Sequence, residues 1–297
     1  VLACVAVLGV AAAGTVCVRA WAHSRADALS SSAAPSSPAS VSASREASVE
    51  PVAEAEPEVD HDASLAAAMA AVPVPDGARV SVAVLDVGSG LSAGYGSGVF
   101  DTASIVKVDI LAALLLRAQD EGRRLTAREE AYAAVMIGSS DNDAATALWN
   151  AIGGADGLDA ANARFGLTDT VGGEGGLWGL TRTTAADQLT LLRQVFGDDS
   201  RLDEVSRRYV QGLMGEIAAG QRWGVSAAAD GTAWALKNGW LPRSTTGLWV
   251  VNSIGRVTVG GRDLLVAVVS DGNAAQAAGI RLVEAAARAA VSVFTAS

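Results

Sequence analysis

Residues 104–119, SIVKVDILAALLLRAQ, decide how the chain is read. Ser104 opens the run, Lys107 follows one turn later, and beyond Asp109 the residues are apolar nearly all round until Arg117. Apolar surface on every side at helical length reads as a deeply buried helix. Positions i and i+3 share a helix face, so the Lys107 ammonium is expected to reach the Ser104 hydroxyl. At a helix N-terminus, free backbone N–H groups and the positive dipole end favour a developing oxyanion. The same dipole disfavours a protonated lysine, helping Lys107 to act as a base. The plain alternative is a serine N-cap followed by a snorkelling lysine.

The rest of the lysine inventory bears on that choice. The chain carries 20 arginines and only two lysines, Lys107 and Lys237. Arginine stays protonated in proteins, whereas a desolvated lysine can lose its proton, so lysine is kept where arginine would not serve. Lys237 begins Lys237-Asn238-Gly239, directly after the strand-like Trp234-Ala235-Leu236. Between the two lysines lies Ser140-Asp141-Asn142, which ends one predicted helix and caps the next.

Composition removes other chemistries. Cys4 and Cys17 fall in the first apolar stretch, and His23 and His61 fall outside the globular segment taken here as 63–297. A Ser-His-Asp triad, a Cys-His pair and a histidine-ligated zinc site are thereby excluded for that segment, and neither metal nor cofactor is expected. The formal charge is −10 with no basic stripe, which excludes nucleic acid as a partner. Gly90-Leu91-Ser92-Ala93-Gly94 matches a nucleophile-elbow pattern, yet it has no histidine and sits at a hairpin turn, so it is set aside.

Working outward, residues 1–22 are expected to be a signal peptide or membrane anchor. Residues 1–18 are apolar without a charge, and Ala20-Trp21-Ala22 offers a cleavage pattern. Residues 23–62, rich in Ser, Ala, Pro and Glu and ending in an acidic run, read as a disordered linker. Within 63–297 the pattern predicts a helix over 63–72, a hairpin over 81–87 and 93–97, and helices over 126–138, 143–151, 183–196 and 201–219. Strands follow over 233–237, 248–253 and 264–270. A closing amphipathic helix presents Ile280, Val283, Ala287, Val291 and Phe294 on one face. Strands at both ends with helices between predict an α+β domain: an antiparallel sheet flanked by the terminal helices, with an inserted all-helical lobe.

The ordered set Ser104-Ile105-Val106-Lys107, Ser140-Asp141-Asn142 and Lys237-Asn238-Gly239 resembles the S-x-x-K, S-D-N and K-T-G motifs of class A β-lactamases and penicillin-binding proteins. That resemblance implies a serine nucleophile at Ser104, Lys107 as its base and Ser140 as a proton relay. It assigns substrate binding to Asn142, Lys237, Asn238 and Gly239, with the Trp240 N–H joining that of Ser104 in an oxyanion hole. Its substrate would be a small β-lactam or a peptidoglycan-peptide-like amide. It further implies an extracytoplasmic monomer, with any membrane contact confined to the N-terminal segment. The departures matter. Asn238 replaces the threonine of K-T-G. The family's E-x-x-L-N loop, whose Glu activates the deacylating water, reads Glu174-Gly175-Gly176-Leu177-Trp178 here. Glu174 is the local candidate for that base, against the reading of a solvated loop residue. β-Lactam hydrolysis is the leading expectation, with a D,D-peptidase or esterase, or a penicillin-binding sensor without turnover, as alternatives.

Overall fold

The computed structural model describes residues 59–295. The signal or anchor expected over 1–22, and the linker expected over 23–62 apart from its last four residues, lie outside the described residues. The first element, α1 (His61–Met69), starts earlier than the sequence suggested because Asp60 caps it, accepting from the Ala63 N–H at 2.9 Å. Asp62 accepts from Gly94 N–H at 2.7 Å. The last acids of the supposed linker therefore belong to the fold. So does His61, whose ring lies 5.0 Å from that of Phe294, which corrects the exclusion of both histidines from the domain.

Two strands, β1 (Arg79–Asp86) and β2 (Ser92–Tyr95), form the expected hairpin, and short β3 (Phe100–Asp101) leads toward Ser104. The helices that follow are α2 (Val106–Asp120), α3 (Ala127–Gly138), α4 (Asn142–Ile152) and α5 (Gly154–Phe165). After β4 (Arg182–Thr183) come α6 (Ala185–Phe196) and α7 (Glu204–Gly215). The chain closes with β5 (Trp234–Pro242), β6 (Trp249–Val259), β7 (Arg262–Asp271) and α8 (Gln276–Thr295).

The main sheet is antiparallel, ordered β2-β1-β7-β6-β5. Both faces are covered, so its strands read as nearly unbroken apolar runs. Alternation splits them between two cores. Ala83, Leu85, Leu265 and Ala267 pack with the lobe built around α2, while Val82, Val84, Leu264 and Val266 pack with α1 and α8. The predicted α+β architecture is the observed one, with the terminal helices on one face and the lobe on the other. Several elements differ from expectation: β3 and β4 were not foreseen, β6 extends to Val259 rather than ending at 253, and α7 is shorter than the 201–219 expected. Helix α5 was not foreseen, and β5 runs five residues past Lys237, to Pro242, pairing Gly239 with Asn252 and Pro242 with Trp249. No helix among the described residues is long and apolar enough to cross a membrane.

Candidate active site

Ser104 lies in a single 3-10 turn, Ala103–Ile105, that runs directly into α2. The residue before it, Ala103, is buried and holds φ at +46°, a left-handed conformation that a residue with a Cβ adopts only when its surroundings impose it. Those surroundings are identifiable. The Asn252 side chain, fully buried on β6, donates to the carbonyls of Asp101 and Thr102, each at 2.9 Å, and accepts from Ser270 N–H at 2.9 Å. The Thr102 N–H donates to Thr181 O at 2.8 Å. Sequence reasoning missed Asn252. Its only signal is an amide inside the apolar run Trp249-Val250-Val251-Asn252.

Edge strand β5 closes the other side. At Gly239 an added Cβ would stand 2.6 Å from Ser104 N, 2.8 Å from Ile105 N and 2.9 Å from Thr102 O, so only glycine allows the strand to lie this close. Lys237 shares that strand face and is fully buried. Its Nζ donates to Ser140 Oγ at 3.0 Å and to Asn238 O at 2.8 Å. From α2, Lys107, also fully buried, donates to the same Ser140 Oγ at 3.0 Å. Its other two hydrogen bonds go to Ser140 O at 2.6 Å and Asn142 Oδ1 at 2.8 Å. All three protons of the ammonium are thus engaged. Among the described residues Ser104 makes no side-chain hydrogen bond, so the expected Lys107–Ser104 contact is not formed in this state. Lys107 is instead turned onto the second motif.

That second motif is held by a strained backbone and two side-chain hydrogen bonds. Ser140 adopts φ of +61°, Gln221 Nε2 donates to Ser139 O at 2.7 Å, and Asp141 caps α4 by accepting from Ala144 N–H at 2.8 Å. Burial pushes the Lys107 ammonium down to about 8, opposed by the Asp141 carboxylate. Burial, and then the facing charge of Lys107, hold Lys237 well below the ordinary lysine range. One hydroxyl thus bridges two amines, both of which release protons more easily than exposed lysines.

Of the motif residues, Ser104 and Asn142 line a cavity of about 310 Å³, together with Leu177, Trp178, Trp240 and Leu241 among others, while Lys107 and Lys237 are fully buried. A larger cavity, about 420 Å³, lies beside Leu115, Arg124 and Tyr209 and holds no residue of the three motifs. The chemistry selects the smaller one. Trp178 contributes a wall: its ring centroid is 4.9 Å from Lys107 Nζ, and its Nε1–H donates to Thr146 Oγ1 at 3.1 Å. Glu174 stands apart. It is exposed, its carboxylate makes no hydrogen bond among the described residues, and it does not line the cavity.

Asn238 departs from expectation too. Its amide donates to Gln221 O at 2.7 Å and Trp223 O at 2.9 Å, and its side chain is almost wholly buried. Strand alternation puts it on the face opposite Lys237 and Gly239, where it braces the loop behind β5 and offers nothing to a ligand in the cavity.

Comparison with known proteins agrees with this architecture. Over 173 residues the chain is 30% identical to LppW, a candidate lipoprotein of Mycobacterium tuberculosis and Mycobacterium bovis, covering 56% of this chain and 55% of the relative. The chain thus spans about half the length of the curated relatives it matches. The fold is similar to the TLA-1 extended-spectrum β-lactamase at 16% identity, with TM-score 0.68 and 79% of this chain covered against 98% of the other. It is equally similar to PBP-A at 22% identity, with TM-score 0.67 and coverages of 79% and 97%. A β-lactamase from Xanthomonas campestris pv. campestris gives 24% identity and TM-score 0.61, with coverages of 77% and 95%. The family model for the beta-lactamase enzyme family matches residues 121–294, including the second and third motifs, with the first lying just upstream. That match spans more than half of the sequence, and the chain belongs to the beta-lactamase enzyme family.

Proposed function

We propose that this protein is an active-site serine hydrolase of the penicillin-recognising type, acylated at Ser104 by β-lactams or D-alanyl-peptide-like amides. The observation that carries the reading is the convergence of both lysines of the chain on Ser140 Oγ, each at 3.0 Å, while Ser104 and Asn142, the latter bonded to Lys107, line the adjoining cavity. In the acylation step Lys107, neutral and released from Asn142, takes the Ser104 proton as Oγ attacks the carbonyl carbon. The Ser104 and Trp240 N–H groups receive the oxyanion. Lys107 then passes the proton through Ser140 Oγ to the departing nitrogen, and the amide C–N bond breaks. Lys107 ends neutral, as it began. Lys237, charged once a ligand carboxylate faces it, anchors that carboxylate, with Asn142 holding the substrate amide.

Fast β-lactam hydrolysis is the less supported half of this reading, because Glu174 is solvent-exposed and the cavity lining holds no carboxylate or histidine among the described residues. A penicillin-binding protein with slow release fits these features better. We further propose an extracytoplasmic location, held or delivered by the apolar segment 1–18. The segment's composition and the lipoprotein name of the mycobacterial relatives favour it.

Intact-protein mass spectrometry after exposure to penicillin G tests the core claim. The wild type should gain the mass of one penicillin, and Ser104→Ala should gain none while melting at the wild-type temperature, since the half-buried hydroxyl makes no hydrogen bond within the fold. Labelling that persists in a folded Ser104→Ala protein would identify another nucleophile.

A further inference from the structure

Hydrolysis of an ester at Ser104 needs a water molecule beside the acyl carbon and a base to take its proton. Glu174 is exposed and does not line the cavity that Ser104 borders. Among the described residues, the basic side chains of the three motifs are Lys107 and Lys237. Lys237 lies on the β5 side, against Ser140 and Asn238 O. Lys107, on the Ser104 side, has the indole face of Trp178 at 4.9 Å from its Nζ.

That indole is fixed in place. Its N–H is tied to Thr146 Oγ1, whose own hydroxyl donates to Asn142 O at 3.0 Å on the first turn of α4. The 3-10 turn Trp178–Leu180 around it is stitched by Leu180 N–H to Leu177 O at 2.8 Å and Thr181 N–H to Trp178 O at 3.1 Å. Apolar Leu177 and Leu180 flank it in the cavity wall. A ring so placed offers water no hydrogen-bond partner on its face, while it stabilises the charged form of the lysine beneath it.

We propose that Trp178 sets the lifetime of the acyl-enzyme by denying water the position between Lys107 and the Ser104 ester. The inference rests on acylation at Ser104 as proposed above. With the ring removed, water enters beside Lys107, its oxygen bonds to the acyl carbon, and one proton passes to neutral Lys107 Nζ. Collapse of the tetrahedral intermediate breaks the bond to Ser104 Oγ, which recovers the proton from Lys107, and the acid leaves. Trp178 acts here by position and takes no part in bond making.

The test follows the penicillin G adduct by intact mass over time in the wild type, Trp178→Asn, Thr146→Val and Glu174→Gln. Thr146 is exposed on α4, so its substitution releases the indole with little risk to folding. Wild-type adduct should persist for many minutes. Release should quicken at least tenfold in Trp178→Asn, below the roughly 10²–10⁴-fold worth of a well-placed base. It should quicken severalfold in Thr146→Val and stay unchanged in Glu174→Gln, release being followed from the formed adduct after excess penicillin is removed, whatever the rate at which each variant acylated. In Trp178→Asn, release should also rise with pH as Lys107 loses its proton, a response that simple loosening of the loop would not give. Two folded, acylating variants that release at the wild-type rate would overturn the proposal, as would slower release in Glu174→Gln. A wild type that takes the adduct and clears it within seconds overturns it too, leaving the acylation reading intact. A wild type that takes no adduct removes both.

Discussion

At Lys107, burial and hydrogen bonding pull in opposite directions. Three oxygen acceptors and an indole face hold the ammonium form, while burial lowers its pKa to about 8. Only the neutral amine can accept the Ser104 proton, so at pH 6 roughly one molecule in a hundred is ready to react. The rate of adduct formation should therefore climb about tenfold per unit from pH 6 toward 8 and level off above, followed by quenching and mass analysis at each pH. A flat profile across that range would remove Lys107 as the base. Lys107→Arg should lower acylation at least a thousandfold at every pH, because a guanidinium keeps its proton. At Lys237, full burial against Ser140 Oγ and Asn238 O leaves no room for a larger planar group. An arginine there is not a conservative change, although charge alone would suggest it.

At the scale of elements, the site is made where an edge strand, a 3-10 turn and a helix start meet. Gly239 is the hinge of that meeting: Gly239→Ala would drive a Cβ against three backbone atoms of the nucleophile turn, none of which can swing aside. We expect a folded protein whose acylation falls at least a hundredfold, since about an ångström of displacement at the nucleophile is worth that much. Equal acylation in Gly239→Ala would mean that β5 can withdraw freely, which its unbroken pairing with β6 from Trp234 to Pro242 argues against. The same elements mark what the sequence could and could not disclose. Helices α2 and α8 were legible because their apolar patterns run through 15 and 20 residues, and the hairpin because its apolar runs flank Gly88-Ser89-Gly90. Helix α5 has a valid apolar stripe, Leu158, Ala161 and Phe165, but Gly153, Gly154 and Gly157 obscure it. Those glycines are there because the α4–α5 corner is tight enough to put a Gly157 Cβ 1.8 Å from Ile152 O. Strand β5 was cut short at Lys237 because a charge and an Asn-Gly pair read as a strand end, whereas pairing with β6 carries the strand through them. Within the site, Ser104, Lys107, Ser140, Asn142 and Lys237 were findable as motif residues. The turn of Asn238 away from the cavity, the exposure of Glu174 and the anchoring by Asn252 depend on which strand face and which loop path the fold chooses, and short motifs carry neither.

For the whole molecule, α2 is the shared element: its start carries the nucleophile turn and Lys107, and its body fills the lobe core. Asp109 is buried in that body without exposure, and neither carboxylate oxygen has a well-formed hydrogen bond. Burial pushes its pKa up to about 8, with Asn162 opposing and the carboxylates of Asp159 and Asp187 reinforcing the rise. The folded protein thus binds a proton that the unfolded chain gives up near pH 4. A group whose folded pKa is raised contributes its full stability below the unfolded value and loses it as pH climbs toward the folded one. Between about pH 4 and 8 this one residue should remove about 1.4 kcal/mol of stability per pH unit, against whatever the remaining groups contribute. Asp109→Asn keeps the shape and cannot ionise, so its effect should grow with pH. At pH 4.5 the variant and the wild type should melt within a degree or two of each other, while at pH 7.5 the variant should melt several degrees higher. Thermal unfolding of both proteins across that range, followed by far-UV circular dichroism, gives the difference directly. A constant offset independent of pH would mean that Asp109 is ionised inside the lobe, with a compensating charge nearby. That outcome conflicts with its surroundings, because the two titratable neighbours acting on it, Asp159 and Asp187, are both acids.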